Sequence, residues 1–339
     1  MKIVHFSDLH LKKFYKGKLP IEITNKLIED VWKNLYETCK FINEISADIV
    51  LIAGDVFERE FFNMSDMNRF LDIIKSLNAK VFISCGNHDY YDEKSLWNRV
   101  ELPENLHVFS NDFTYVDLDD LGARVFGISY DSFSFNKDLK TVDLSIDYKN
   151  FLVVHSDMED ERYLPLDKDF LKKFDYVALG HIHKREKIMD NVYYSGSIEP
   201  HTFKDIGDRG IIIFDTDTKS FEFKDFSTKN FVTFDYEVKP DSSLSELLED
   251  LQNTVNDRDL YRIRLIGKHK NHNLLKEFLE NNLNAFYFEI VDEVKNDVDV
   301  YEVFGENNLV MDYLNSFNEE EENSKEVAIE YLLEQYNEV

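Results

Sequence analysis

The sequence predicts an α/β protein: two packed mixed β-sheets flanked by helices, followed by a small α+β module and a helical tail. Three observations point to this. First, five short runs rich in β-branched and aromatic residues read as buried strands: Lys2 to Ser7, Ile49 to Ala53, Val81 to Cys85, Phe151 to Val154 and Tyr176 to Leu179. Second, longer segments with apolar residues at helical spacing lie between the early runs, so strands and helices alternate. Third, each run ends in a polar cluster, where open α/β sheets place their sites. The clusters are Asp8-Leu9-His10, Gly54-Asp55, Gly86-Asn87-His88-Asp89, His155 and Gly180-His181-Ile182-His183.

Each element has its own signal. Ile23 to Ile45 is expected to be an amphipathic helix, with Leu27, Val31, Leu35, Thr38 and Ile42 on one stripe. Met67 to Leu77 is expected to be another, with Ser65 as N-cap and Phe70, Ile73, Ile74 and Leu77 as its apolar stripe. Val125 to Ser129 and Val192 to Ser195 read as further strands, and Gly210 to Asp215 and Phe221 to Phe226 as a hairpin. Residues 1–229 thus form a catalytic domain. Residues 230–296 change character to a β-α-β-α-β order: Thr233 to Val238, a helix from Ser243 to Thr254 capped by Asp241 or Ser242, Tyr261 to Leu265, Asn273 to Asn281 and Ala285 to Val291. Arg262 and Arg264 fall on one face of the middle strand. Residues 297–339 form a tail with helical apolar spacing at Val303, Phe304, Leu309, Val310, Tyr313, Leu314 and Phe317, and again from Val327 to Tyr336.

The clusters supply carboxylate, imidazole and amide donors and no thiolate. That set suits divalent ions, Mn²⁺ above all, with Mg²⁺ as the alternative. One ion is satisfied by about four to six donors. Asp8, His10, Asp55, Asn87, His155, His181 and His183 exceed that number, so two metals are expected, with Asp55 as the carboxylate between them. His88 directly follows Asn87, and in extended backbone their side chains diverge. His88 is therefore expected to be a proton donor, with Asp89 orienting it, in the hydrolysis of a phosphoester. His5, His107, His269 and His272 lack such partners and read as ordinary histidines, whereas His201 lies where it can contact substrate.

The ordered pattern D-x-H, G-D, G-N-H-[DE], H, G-H-x-H resembles that of the calcineurin-like metallophosphoesterases over about the first two-thirds of the chain. The resemblance implies that Asp8, His10, Asp55 and His183 hold one metal, that Asp55, Asn87, His155 and His181 hold the other, and that His88 is the catalytic acid. Val192-Tyr-Tyr-Ser-Gly-Ser-Ile-Glu-Pro, Phe203, Gly207 and Arg209-Gly-Ile-Ile-Ile-Phe-Asp look like the SbcD-type branch of DNA repair nucleases. That likeness implies cleavage of DNA at ends or hairpins, a homodimer, a module that positions DNA, and C-terminal helices that bind an SbcC-type coiled-coil ATPase. Phe61-Phe62-x-Met64 and the helix after it are placed either for the dimer contact or, the preferred reading, for packing into the core. One departure is Glu58, where some members carry a histidine three residues past the bridging Asp. No Walker A pattern is present, so ATP chemistry belongs to another chain.

Composition narrows the setting. The only cysteines are Cys39 and Cys85, the chain opens straight into a strand, and no run approaches the ~18 apolar residues of a membrane span. A cytoplasmic protein without membrane association is expected. The 39 Lys and Arg against 67 Asp and Glu give −28, which alone argues against nucleic acid. Much of the acid lies in the last hundred residues, such as Glu319 to Glu322. Lys12, Lys13, Lys16, Lys18, Lys184, Arg185 and Lys187 lie near the clusters. A stand-alone phosphodiesterase for a small molecule, such as a cyclic nucleotide or nucleotide sugar, explains the charge better and the module and tail worse. A non-catalytic scaffold is disfavoured because no ligand position is missing.

Overall fold

The structure, a computed structural model, describes the chain apart from residues 14–17, 140–143, 271, 298–299, 306–307, 319–320, 322–323, 326, 330 and 333–339. The chain divides into two compact units, Met1–Phe231 and Val232–Val339.

The first unit runs β1 (Lys2–Phe6), α1 (Ile21–Glu44), β2 (Ile49–Ile52), α2 (Met64–Lys75), β3 (Lys80–Ile83) and β4 (Leu106–Val108). It continues through β5 (Thr114–Leu118), β6 (Ala123–Ile128), β7 (Lys149–His155), α3 (Lys168–Leu171) and β8 (Tyr176–Gly180). It closes with β9 (Glu186–Met189), β10 (Val192–Tyr194), β11 (Ile211–Asp215) and β12 (Ser220–Lys224). Two six-stranded sheets result, ordered β12-β11-β1-β2-β3-β4 and β5-β6-β7-β8-β10-β9. Within them β1 to β4 are mutually parallel, as are β6, β7, β8 and β10, while β11, β12, β5 and β9 make the sheets mixed. This is the architecture the strand runs predict.

Both faces of the central strands are buried, which is why their sequences are unbroken apolar runs rather than alternating ones. Ile3, Leu51 and Phe82 meet Val125, Phe151 and Val153 between the sheets. On the other side, Val4, Val50 and Val81 pack against Leu35, Ile42, Phe70 and Ile74 of the two helices. The sheets approach closely at Gly180, where a Cβ would sit 1.8 Å from the Ala53 carbonyl oxygen. The helix α2 starts earlier than its apolar stripe suggests. Its N-cap is Asn63, not Ser65: Asn63 accepts from the Ser65 and Asp66 amides, and Asp66 reaches back to the Asn63 amide.

The second unit contains β13 (Phe231–Val238), α4 (Leu244–Thr254), β14 (Leu260–His269), α5 (His272–Asn282) and β15 (Tyr287–Asn296). The strands form one sheet, β13-β14-β15. Leu247, Leu251, Leu275 and Leu279 of the helices pack on Val238, Ile263, Leu265 and Ile290. The cap of α4 is Ser243, paired with Glu246 in a full capping box, rather than Asp241 or Ser242. Arg262 and Arg264 share a face as expected, but each meets carboxylates of a flanking strand: Arg262 pairs with Glu289, and Arg264 with Asp235 at 2.6 Å. In the tail, α6 (Val300–Phe304) and α7 (Leu309–Leu314) are short, and Leu309 and Tyr313 are exposed. The later helical segment, Val327 to Tyr336, falls partly outside the described residues. Among the described residues no helix is long and apolar enough to cross a membrane.

Candidate metal centre

Parallel strands with a common direction bring their carboxyl ends together. Asp8 and His10 follow β1, Asp55 follows β2, and Asn87, His88 and Asp89 follow β3. His155 ends β7 and pairs with Gly180, which ends β8 just before His181 and His183. The chain turns sharply at these ends. Asp8, His10, Asp55 and His181 all have positive φ, at 53°, 44°, 51° and 102°. Such backbone costs roughly 1–3 kcal/mol per residue and persists only where surroundings enforce it. Here the Asp8 amide donates to the Gly54 carbonyl and the His10 amide to the Asp55 carbonyl. The His181 amide donates to the Asp8 carboxylate.

The seven expected ligands are all brought together, in two groups. In the first, His10 Nε2 lies 3.1 Å from His183 Nε2, and His183 Nε2 lies 3.9 Å from Asp8 Oδ1. In the second, His155 Nε2 lies 3.1 Å from His181 Nδ1 and 3.0 Å from Asn87 Oδ1. Asp55 Oδ2 belongs to both, 3.7 Å from His10 Nε2 and 3.5 Å from His155 Nε2.

The outer nitrogen of each ring decides whether this set fits metal ions. His10 Nδ1 faces Glu58 Oε1 at 2.9 Å, and His155 Nδ1 faces the Ala53 carbonyl at 2.9 Å. His181 Nε2 faces Asp157 Oδ2 at 3.5 Å, and His183 Nδ1 faces Asp205 Oδ1 at 3.5 Å. Each of these partners accepts, so each ring carries its proton outward and turns a lone pair inward. Pairs of lone pairs then face each other across about 3 Å, an arrangement that cations between them satisfy. Burial, followed by the nearby charges of Lys13, His183, His201 and His88, holds His10 well below its usual pKa and so in the neutral ligand form. Burial pushes the Asp55 carboxyl up, but the charges of His155 and His88 and the His88 amide outweigh it and hold it below the usual carboxylate range.

A model of the calcineurin-like phosphoesterase family matches residues 1–185, more than half of the chain. The chain belongs to the calcineurin-like phosphoesterase family. Membership implies a metal-dependent phosphoester hydrolase that binds two divalent ions. Two curated relatives are similar. The uncharacterized metallophosphoesterase YhaO of Bacillus subtilis (strain 168) is 25% identical over 233 residues, covering 62% of this chain and 56% of that protein. The SbcD component of the nuclease SbcCD of Staphylococcus epidermidis is 26% identical over 244 residues, covering 61% of this chain and 63% of that protein. The chain therefore matches less than two thirds of the length of either.

One expected contact in this phosphoesterase site is corrected. Asp89 does not orient His88. It is buried, and its carboxylate accepts from the Gly86 amide at 2.7 Å, the Val56 amide at 3.0 Å and the Asp55 amide at 3.1 Å. Asp89 thereby ties the β2 and β3 loops together. The partner of His88 is Glu58, whose Oε2 lies 2.9 Å from His88 Nδ1. Burial pulls the His88 pKa down, but the Glu58 hydrogen bond and the Asp55 and Glu58 charges raise it to about 9. Asn87 and His88 diverge as expected, Asn87 to the second donor group and His88 to Glu58, and a His88 nitrogen also lies close to donors of His10 and Asp55. His201 is buried beneath this group, its Nε2 3.3 Å from the Asp8 carbonyl, and not at a substrate surface.

Sequence reasoning missed Glu58, Asp157 and Asp205 as outer acceptors. Several of the cations that lie near the clusters meet carboxylates. Lys12 pairs with Asp66 at 3.3 Å, Arg185 with Asp208 at 3.1 Å and Lys187 with Asp190 at 2.9 Å, while Lys13 is 3.9 Å from Glu58. Lys16 lies outside the described residues.

Proposed function

We propose that the chain is a Mn²⁺-dependent phosphodiesterase acting on DNA ends or hairpins, the nuclease subunit of an SbcCD-like end-processing complex. The observation that carries the hydrolytic reading is the pair of donor groups sharing Asp55 Oδ2, with His88 beside them. Asp8, His10, Asp55 and His183 would hold one ion, and Asp55, Asn87, His155 and His181 the other. When bound, the ions polarise the phosphoryl group and lower the pKa of water there. His88 holds its proton at neutral pH and donates it to the leaving oxygen as the P–O bond breaks and water oxygen bonds to phosphorus. Glu58 aims the ring, Asp89 fixes the loop that carries it, and Glu58, Asp157 and Asp205 orient three of the imidazole ligands.

The DNA reading is supported by the likeness to an SbcCD nuclease component and by the module and tail that follow the catalytic unit. In this reading 230–296 positions DNA and 297–339 binds an SbcC-type ATPase. The protein is a cytoplasmic homodimer, and α2 with Phe61 and Met64, both exposed, supplies its contact. A second reading, a stand-alone phosphodiesterase for a small molecule such as a cyclic nucleotide or nucleotide sugar, is favoured by one observation. Lys12, Arg185 and Lys187 near the site, and Arg262 and Arg264 of the module, already meet carboxylates. Mn²⁺-dependent cleavage of end-labelled duplex and hairpin DNA, beside bis(4-nitrophenyl) phosphate and with His88→Ala as control, separates the two. Cleavage of both substrates by the wild type supports the nuclease. Turnover of the ester alone, unchanged on adding an SbcC-type ATPase, supports the small-molecule enzyme.

A further inference from the structure

Phe133 is 53% exposed, so its ring is open to solvent beside the reaction centre. It meets His88 at 5.9 Å between centroids and Tyr163 at 6.3 Å, in both cases edge to face, with interplanar angles of 69° and 77°. Tyr163 in turn lies over His181 at 4.5 Å. An aromatic rim thus runs from the expected proton donor to a ligand of the second metal. The rim is held by backbone. The Phe135 amide donates to the Arg162 carbonyl at 2.9 Å, and the Leu164 amide donates back to the Phe135 carbonyl at 2.8 Å. Asn136 Nδ2 donates to the Glu161 carbonyl at 2.9 Å.

We propose that Phe133, backed by Tyr163, is a stacking platform for an unpaired nucleobase attached to the scissile phosphodiester. The inference rests on the phosphodiesterase reading and specifies its substrate. His88 protonates the leaving oxygen, so a ring against Phe133 belongs to the nucleoside on that side of the phosphorus. Stacking also answers the charge problem. A chain of net charge −28, with Lys12, Arg185 and Lys187 near its site already paired to carboxylates, has few cations there to release counterions, whereas base–aromatic stacking needs none. A base inside a duplex has both faces covered, so the platform selects a base in a single strand, a hairpin loop or a frayed end.

The test uses the full chain with Mn²⁺, a thymidine dinucleotide, and its two analogues lacking one base or the other. Wild type is expected to show a KM about tenfold lower for the dinucleotide than for one of the analogues, the range that stacking of one base gives. Phe133→Ala and Phe133→Leu should erase that ratio, and Phe133→Trp should keep it. A ratio that survives in Phe133→Ala, or is absent in wild type, overturns the platform. A second arm follows tryptophan fluorescence of Phe133→Trp on adding thymidine monophosphate or deoxyribose 5-phosphate, with Mn²⁺ and with EDTA. Saturable quenching by the nucleotide but not by the sugar phosphate supports the platform, and equal or absent quenching refutes it. If wild type cleaves no diester, the phosphodiesterase reading fails, and the fluorescence arm still decides whether Phe133 binds a base.

Discussion

Glu199 is a buried carboxyl outside both donor groups, only 5% exposed, and it makes stability depend on pH in a predictable sense. Its Oε1 accepts from Asn34 Nδ2 of α1 at 2.7 Å and from the Thr228 amide at 2.8 Å, so it joins the helix to two later loops. Burial raises its pKa from 4.5 to about 7, with the Asp30 charge adding to the rise and the Asn34 and Thr228 donors opposing it. The folded chain therefore holds this proton more tightly than the unfolded chain. Stability from this group is fully present below about pH 4.5, falls as pH rises between the two pKa values, and is lost above about pH 7. With those two values, about 2–3 kcal/mol of the loss develops between pH 5 and pH 8.

Glu199→Gln keeps the Oε1 acceptor and cannot ionise. Its melting temperature should exceed that of wild type by a margin that widens with pH. For a unit of this size about 2–3 kcal/mol corresponds to roughly 5–10 °C. The measurement is a pair of thermal melts in EDTA at pH 5, 6, 7 and 8. Removing metal is deliberate, because the ligand carboxylates then titrate identically in both chains and cancel in the difference. A gap that stays flat over this range, or narrows, would mean that Glu199 is already ionised in the native state at pH 5, and the argument from burial would be wrong.

Other consequences are more local. Gly180→Ala forces a Cβ against the Ala53 carbonyl, which is backbone and cannot swing away, so a loss of about 3 kcal/mol or more is expected in denaturant melts. His88→Ala should lower kcat by about 10²–10⁴ while calorimetry finds Mn²⁺ binding nearly intact; loss of both ions would instead make His88 a ligand. Asp205→Ala removes the acceptor behind His183 and should weaken one of two Mn²⁺ binding events by about 10–100-fold. Asn63→Ala removes the cap of α2 and should cost about 1 kcal/mol with kcat unchanged.

The strands and the ends that carry the ligands were legible because two constraints coincide there. A central parallel strand must be apolar on both faces, so runs such as Ile49 to Ala53 stand out, and a metal ligand must be one of very few residue types. The cap of α4 was misread as Asp241 or Ser242, although Ser243-Leu-Ser-Glu246 spells a complete capping box. The cap of α2 was harder: Asn63 and Ser65 are both good cap residues, and only the reach of Asp66 back to the Asn63 amide separates them. The partner of His88 was misread for a related reason. Asp89 adjoins His88 in sequence, yet its carboxylate is consumed by three loop amides, and the acceptor comes from 30 residues away.

That contrast explains where sequence reading stops in a site of this kind. The inner donors are restricted by the chemistry of the ion, so they recur as short words at strand ends. The outer acceptors need only offer an oxygen at the right place, and here a backbone carbonyl, an Asp and a Glu serve that purpose equally. Glu58 comes 48 residues after His10, and Asp205 comes 22 after His183, so no local pattern connects them. Substrate recognition is less restricted still. In the proposed platform, Phe133 need only place a flat ring beside His88, and a Tyr or Trp would do the same. The family was therefore readable from seven candidate ligands, whereas the proposed nucleobase contact had to be sought in the geometry around them.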